Sequence, residues 1–382
     1  MAQARESAAS YEMGMRLQLT PRRFEDLAGF SEDDFLDAFS AWRRSARALA
    51  ESVAPTRPGV PVPSELISVA RLAQTQDRVN REAARDFFLQ HFRPYHVRPD
   101  GGERAGFVTG YYEPLLRGAL APAPAFTAPV LGRPSDLVTF APGETPPSLD
   151  PSLSGARRRA DGGLDPYPER AAIEAAEQGV FQPILWLEDH VELFLAQVQG
   201  SARVQLPDGR FVRLAYDGRN GQPYMSIGRA LIEEGAIKEK EMSLAALKDW
   251  LRANGQKPGD KGRTLMQRNR SYVFFKLEEN FQADQGPTGG AGVALAPLRS
   301  IAVDRNLWPY GLPFWIEAQL PWRDDAPRPF RRLMIAQDTG SAILGAARAD
   351  IFFGSGDQAG KRAGDIRHAA DFTVLLPQGS AT

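Results

Sequence analysis

Residues 335–354 read Ile335-Ala-Gln-Asp338-Thr-Gly-Ser-Ala-Ile-Leu-Gly-Ala-Ala-Arg-Ala-Asp350-Ile-Phe-Phe-Gly354. Two aspartates stand twelve positions apart here, each beside apolar residues of strand-forming type. Between them Gly340, Gly345 and small side chains allow a tight turn and a close approach to a ligand or to another backbone segment. A carboxylate at the edge of a hydrophobic run is a poor core residue, because once buried it needs a partner or a raised pKa. The pair therefore points to acid/base chemistry. A third aspartate, Asp304 in Ser300-Ile-Ala-Val-Asp304, follows an apolar run of the same kind. Read alone, Asp350 serves equally well as a turn cap at the start of a strand.

Composition narrows the class. The chain has 382 residues, 43% hydrophobic and 24% charged, enough for two or three domains with a sizeable core. Lys plus Arg (46) nearly balance Asp plus Glu (47), so no nucleic-acid footprint is expected. There is no cysteine, which excludes disulfides, a thiol nucleophile and Cys-ligated metal sites. His91, His96, His190 and His368 show no metal-ligand spacing, and no glycine run has the setting of a phosphate loop. No metal and no cofactor is expected. The opening Met1-Ala-Gln-Ala-Arg-Glu-Ser lacks an apolar signal region, and no run approaches the roughly 18 apolar residues of a membrane span.

Along the chain the first hundred residues read as helical. Thr20-Pro opens one helix, and Ser31-Glu-Asp-Asp starts a second with Phe35, Ala38, Phe39, Trp42 and Ala46 on one face. Ser64-Glu-Leu-Ile begins a third, running to about Phe92, after a proline-rich break. From Gly106 the texture is strand-like, and residues 120–165 read as loops and short strands. Leu193-Phe-Leu-Ala-Gln-Val-Gln and Ala202-Arg-Val-Gln-Leu read as strands, with Pro207-Asp-Gly-Arg as a hairpin turn. Ser226–Glu234 and Ser243–Ala253 read as helices, and Gly286–Gly292 as a flexible loop.

Several of these segments carry a family resemblance. Ala302-Val-Asp304, Ala336-Gln-Asp338-Thr-Gly and Arg348-Ala-Asp350-Ile-Phe resemble the three-aspartate (3D) domain, a double-psi β-barrel module. Upstream stand Gly106-Phe-Val-Thr-Gly110-Tyr-Tyr-Glu113-Pro and Gln197-Val-Gln-Gly-Ser201. Tyr216-Asp-Gly-Arg-Asn-Gly-Gln-Pro-Tyr224-Met-Ser-Ile-Gly228 and Asn269-Arg-Ser-Tyr-Val-Phe-Phe275 follow, in the order seen in lytic murein transglycosylase A. The match runs from about Phe107 to Asp365.

The resemblance implies a mainly β chain with N-terminal helices. Residues 1–113 and 271–382 would form helices plus a double-psi β-barrel catalytic domain. Residues 114–270 would form an inserted second β domain, with a substrate groove between the two. It further implies a lytic transglycosylase that cleaves the β-1,4 bond between MurNAc and GlcNAc in peptidoglycan, leaving 1,6-anhydroMurNAc. Asp350 matches the single catalytic acid, acting next as base, and Asp338 would join it in catalysis. Tyr111, Tyr112, Glu113, Gln199, Tyr224, Asp304, Ser341 and Arg348 are the expected substrate-binding residues. For Asp304 a scaffold role weighs more, and for each aromatic residue core packing weighs as much. The family commonly reads Asp-Thr-Gly-Gly-Ala-Ile-Lys-Gly where this chain has Ser341 and Leu344.

The expected partners are peptidoglycan glycan strands and cell-wall synthesis or remodelling complexes, with the chain a monomer. The expected location is periplasmic, with outer-membrane association an option. Family members commonly carry a lipid on an N-terminal cysteine, which this chain lacks. Two other readings stand beside this one. An expansin-like protein would bind polysaccharide without cleaving it. An aspartic protease would need a second Asp-Thr-Gly or a dimer.

Overall fold

The structure, a computed structural model, describes residues 18–76, 79–99, 105–282 and 284–380. It is mostly β with N-terminal helices. The chain divides into two compact units: residues 1–112, 288–354 and 361–382 form the first, and residues 113–287 and 355–360 the second.

In the first unit, one sheet runs in the order Leu19–Pro21, Phe92–Val97, Arg367–Pro377, Pro313–Leu320, Arg328–Asp338, Ser300–Val303, Arg348–Ser355 and Gly106–Glu113. The last of these pairs back with Arg367–Pro377, Thr109 opposite Arg367 and Gly106 opposite Ala370. Six strands thereby close into a barrel. Closure abolishes the edges that an open sheet exposes.

The strands that read as unbroken apolar runs are buried on both faces, because helices cover the barrel outside. Leu333, Met334, Ile335 and Ala336 are all buried, as are Val374, Leu375 and Leu376. The covering helix, Phe35–Ala50, lays Phe35, Ala38, Phe39, Trp42 and Ala46 into this core at the expected helical spacing. Its cap is Asp34, which accepts from the Asp37 amide, and not Ser31. Trp42 donates its indole N–H to the Gly311 carbonyl at 2.9 Å, so the helix is tied to the barrel by a buried hydrogen bond as well as by area. A buried arginine adds a second tie. Arg299 gives Nη1 and Nη2 to the Asp33 carboxylate at 2.7 and 3.0 Å and Nε to Asp37 at 2.7 Å.

Two N-terminal expectations fail. Leu19–Pro21 is a strand paired with Phe92–Val97, Leu19 opposite Val97 and Pro21 opposite Tyr95. A Thr-Pro start is a weak helix signal, and a partner strand offering backbone hydrogen bonds overrides it. The third helix is two, Ser64–Gln74 and Arg81–His91, the latter capped by Asn80. The glycine segment 286–292 is mostly buried and packed, so the flexible-loop reading is also corrected. A Cβ on Gly289 would stand 2.6 Å from the Gln337 carbonyl oxygen.

The second unit holds a six-stranded sheet in the order Val273–Glu278, Phe211–Arg219, Ser201–Gln205, Leu115–Ala119, Pro183–Leu187 and Ala128–Leu131. A small sheet of Leu137–Thr139, Gly155–Arg158 and Leu164–Pro166 stands beside it in the same unit. The hairpin at Pro207–Arg210 forms as expected, with Gly209 at φ +87°. Ile227–Glu233 and Leu244–Ala253 are helices capped by Ser226 and Ser243. Residues 190–199, however, form a helix and not a strand. Asp189 caps it by accepting from the Glu192 amide, and Gly200 ends it at φ +82°. Val191, Phe194 and Leu195 then meet Leu231, Leu251 and Met266 in a core built by helices.

Cutting Asp33 back to alanine leaves the Arg299 guanidinium buried with part of its pairing gone. Urea denaturation of Asp33→Ala is expected to show a loss of about 3–5 kcal/mol. A change below about 1 kcal/mol would remove this pair from the contacts that hold the helix to the barrel.

Candidate active site

The strand Ser300–Val303 places the two aspartates. It pairs parallel with Arg328–Asp338 and antiparallel with Arg348–Ser355. Ala302 stands opposite Asp338 on one side and opposite Asp350 on the other. Residues opposed across a sheet share a face, so both carboxylates rise beside Ala302. Phe352, two residues beyond Asp350, lies on that same face and joins Tyr111, Leu295, Ala302 and Ile343 in an apolar cluster. Phe353 turns the other way, against the main core. Phe352 thus adds apolar surface on the face that carries Asp350.

Asp338 is a held group. It is 7% exposed, its Oδ1 accepts from the Gly290 amide at 2.8 Å and its Oδ2 from the Tyr111 hydroxyl at 2.9 Å. Arg57 Nη1 lies 3.9 Å from Oδ1, and the same guanidinium donates to the Thr339 carbonyl. The packed glycine segment exists to bring the Gly290 amide this close. Burial and the Asp338 charge push the Tyr111 phenol well above its ordinary pKa, so Tyr111 stays a neutral donor.

Asp350 is different. It is only partly buried, and the Thr109 hydroxyl donates to its Oδ1 at 2.7 Å. Among the described residues no hydrogen bond is donated to Oδ2. Burial pushes its pKa up to about 6; Arg348 and the Thr109 hydrogen bond pull against that, and the Asp338 charge adds to it. Arg348 Nη2 donates to Thr109 at 2.8 Å, and its guanidinium lies 5.4 Å from the Phe107 ring centroid. A carboxyl that titrates near 6 can give and take a proton near neutral pH.

The other expected residues divide. Asp304 accepts from the Asn306 amide and side chain, each at 2.9 Å, and from the Gly345 amide at 2.9 Å. It anchors the far end of the loop that links Asp338 to Asp350. Glu113 is likewise held by protein groups. It is 0% exposed, and its oxygens take Arg213 Nε at 2.6 Å, Arg203 Nε at 2.7 Å and the Ser355 hydroxyl at 2.6 Å. A carboxylate enclosed by two arginines and a hydroxyl is not presented to a ligand. Ser341 is exposed on the loop, as is Leu344 at 63%. Tyr112 is buried in the first unit, while Gln199, at the end of the helix His190–Gln199, and Tyr224 are half-buried in the second.

Three participants were not singled out from the sequence. Thr109 lies inside the quoted Gly106–Pro114 segment, where an outward threonine on a strand has no distinguishing mark. Arg57 lies in the proline-rich break and Gly290 in the glycine segment. Nothing in the spacing links either to Asp338, more than forty residues away at the nearer.

The site can be set beside known proteins. The family model described as the MltA specific insert domain matches residues 107–276, and the one described as the 3D domain matches residues 299–376. Membrane-bound lytic murein transglycosylase A of Vibrio cholerae is 32% identical over 288 residues, which is 74% of this chain and 69% of that one. The crystal structure of a membrane-bound lytic murein transglycosylase from Agrobacterium tumefaciens aligns with TM-score 0.82 at 36% identity, covering 94% of this chain and 98% of that chain. That of MltA from Neisseria gonorrhoeae aligns with TM-score 0.74 at 28% identity, covering 96% and 93%.

The raised pKa has a stability consequence with a definite sign. Between about pH 4 and 6 the folded state keeps a proton on Asp350 that the unfolded state has released, so its contribution to stability falls as pH rises through that window. Asp350→Asn should therefore match the wild type near pH 4 and exceed it by about 1–3 kcal/mol above pH 6.5. Thermal or urea unfolding of both proteins across pH 4–7.5 reads the difference. A pH-independent gap would mean an ordinary, unshifted carboxyl.

Proposed function

The chain belongs to the membrane-bound lytic murein transglycosylase A family, and from this we propose that it cleaves peptidoglycan glycan strands with Asp350 as its acid and base. The observation that carries the reading is the contrast between the two carboxylates. Asp338 has both oxygens engaged by fixed donors, whereas Asp350 keeps one oxygen open and titrates near 6.

A hydrolase needs a second carboxylate to act on water or on the anomeric carbon. One carboxyl suffices when the nucleophile is the C6 hydroxyl of the same MurNAc. Protonated Asp350 gives its proton to the leaving O4 of the β-1,4 bond as positive charge builds on the sugar. The resulting carboxylate takes the proton of the C6 hydroxyl as that oxygen bonds to C1. The 1,6-anhydroMurNAc product forms with no water consumed, and the acid is restored. Asp338 stays in place as a fixed negative charge, one strand removed, that steadies the oxocarbenium-like state.

Several finer features belong to the same proposal. The barrel is taken as double-psi and as the catalytic domain, and the inserted domain as lining a groove for the glycan. Tyr112, Gln199, Tyr224 and Ser341 are taken as sugar contacts. The relatives are named membrane-bound, and no helix among the described residues is long and apolar enough to cross a membrane. We place the protein in the periplasm as a monomer, in reach of the outer membrane and of cell-wall remodelling complexes.

Incubation with purified sacculi, followed by mass spectrometry of the soluble muropeptides, tests the reading. Wild type should release anhydro-muramyl products at a rate that falls as pH rises through about 6, because the acid form is consumed. Asp350→Asn should lose at least about 100-fold in rate. Reducing-end products would mean a hydrolase. Binding to sacculi with no release would favour the expansin-like alternative.

A further inference from the structure

Hydrogen-bond direction around Thr109 goes one step further than naming Asp350. An arginine side chain carries five donors and no acceptor. Arg348 Nη2 lies 2.8 Å from Thr109 Oγ1, so at this contact the threonine oxygen must accept. A threonine hydroxyl has one proton to give, and among the described residues its acceptor is Asp350 Oδ1, 2.7 Å away. The guanidinium thus polarises the hydroxyl and aims its proton at one carboxyl oxygen. Arg348 is itself restrained, donating also to the Ala349 carbonyl and lying over Phe107. Thr109 and Asp350 sit on different strands, so backbone and side chain together hold the geometry.

We infer that Arg348 is a positioning residue that acts through Thr109, locking Asp350 so that its exchangeable proton resides on Oδ2, the oxygen facing the glycosidic bond. The inference rests on the proposed role of Asp350. In the reaction the C1–O4 bond breaks as the Oδ2 proton moves to O4, then C1–O6 forms as the O6 proton returns to Oδ2. Oδ1 keeps its bond to Thr109 throughout, so no hydroxyl has to reorient between the acid and base half-steps. This places Arg348 one atom behind the acid and not on the sugar.

The groups that face Asp350 set the expected signs. Arg348 and the Thr109 hydrogen bond favour its charged form, and Asp338 opposes it. Arg57 lies by Asp338, and Tyr111 is neutral. Removing either favourable partner should raise the titration of Asp350.

The test uses soluble glycan strands and the pH dependence of kcat and KM for Arg348→Gln, Arg348→Lys, Thr109→Val and Thr109→Ser. In Arg348→Gln and Thr109→Val the falling limb of kcat should move up by as much as about one pH unit. Their kcat at the optimum should drop about tenfold, less than for loss of the acid, with KM within about twofold. Thr109→Ser keeps the hydroxyl and Arg348→Lys keeps the charge, so their limbs should stay near the wild-type position. An unmoved limb in both disruptive variants overturns the inference. So does a raised KM with unchanged kcat in Arg348→Gln, which would put the guanidinium on the substrate. Should the wild type form no anhydro product, the catalytic reading fails by itself. Carboxyl 13C NMR titration of Asp350 in the same variants, assigned by its loss in Asp350→Asn, then decides the relay: an upward shift supports it and no shift overturns it.

Discussion

Ala302 has a carboxylate on either side of it, and the arrangement of the barrel follows from that register. A short strand, Ser300–Val303, pairs parallel with the strand that ends at Asp338 and antiparallel with the strand that begins at Arg348. Two like charges set on one face of a small barrel repel each other and lose water. The structure resolves this unequally. Asp338 receives an amide hydrogen, a phenol and a nearby guanidinium; Asp350 receives one hydroxyl. The inequality separates a carboxylate engaged at both oxygens from one engaged at a single oxygen, whose pKa burial raises to about 6.

Much of the remaining first unit serves to keep that register. The N-terminal helix Phe35–Ala50 seals the outer face of the barrel, with Trp42 and the Arg299–Asp33 pair as its specific ties. Asp304, directly after the central strand, bonds Gly345 and so fixes the loop that carries the chain from Asp338 to Asp350. The glycine segment does the same for Asp338 from the other side. In the second unit, the Glu113 carboxylate gathers Arg203, Arg213 and Ser355, a buried charge cluster whose members satisfy one another.

The aspartates, the aromatic Gly106–Glu113 strand, the amphipathic Phe35–Ala50 helix and the Pro207–Arg210 turn were all legible along the chain. Each rests on a signal spanning few residues: an apolar period, a cap, a turn type or a charge beside a strand. The misread elements share a cause. Residues 193–199 are apolar enough for a strand, and only Asp189 and Gly200 at the two ends mark the helix that forms. Thr20-Pro carries a local helix-start signal, and the strand that captures it lies some seventy residues on. The pairing of Glu113 with Arg203 and Arg213 is invisible along the chain, because the two arginines lie some ninety and a hundred residues on.

The sequence by itself determined the chemical inventory and the ordered family segments: three aspartates after apolar runs, no thiol and no metal-spaced histidines. Those depend on residue type and short spacing, which the chain states directly. Only the tertiary structure decided which carboxylate has both oxygens engaged and which keeps one open. That outcome depends on Arg57, Gly290 and the strand that carries Thr109 and Tyr111 arriving from separate segments to meet Asp338, Arg348 and Asp350. Desolvation and hydrogen-bond direction are properties of the assembled neighbourhood, and no local pattern encodes them.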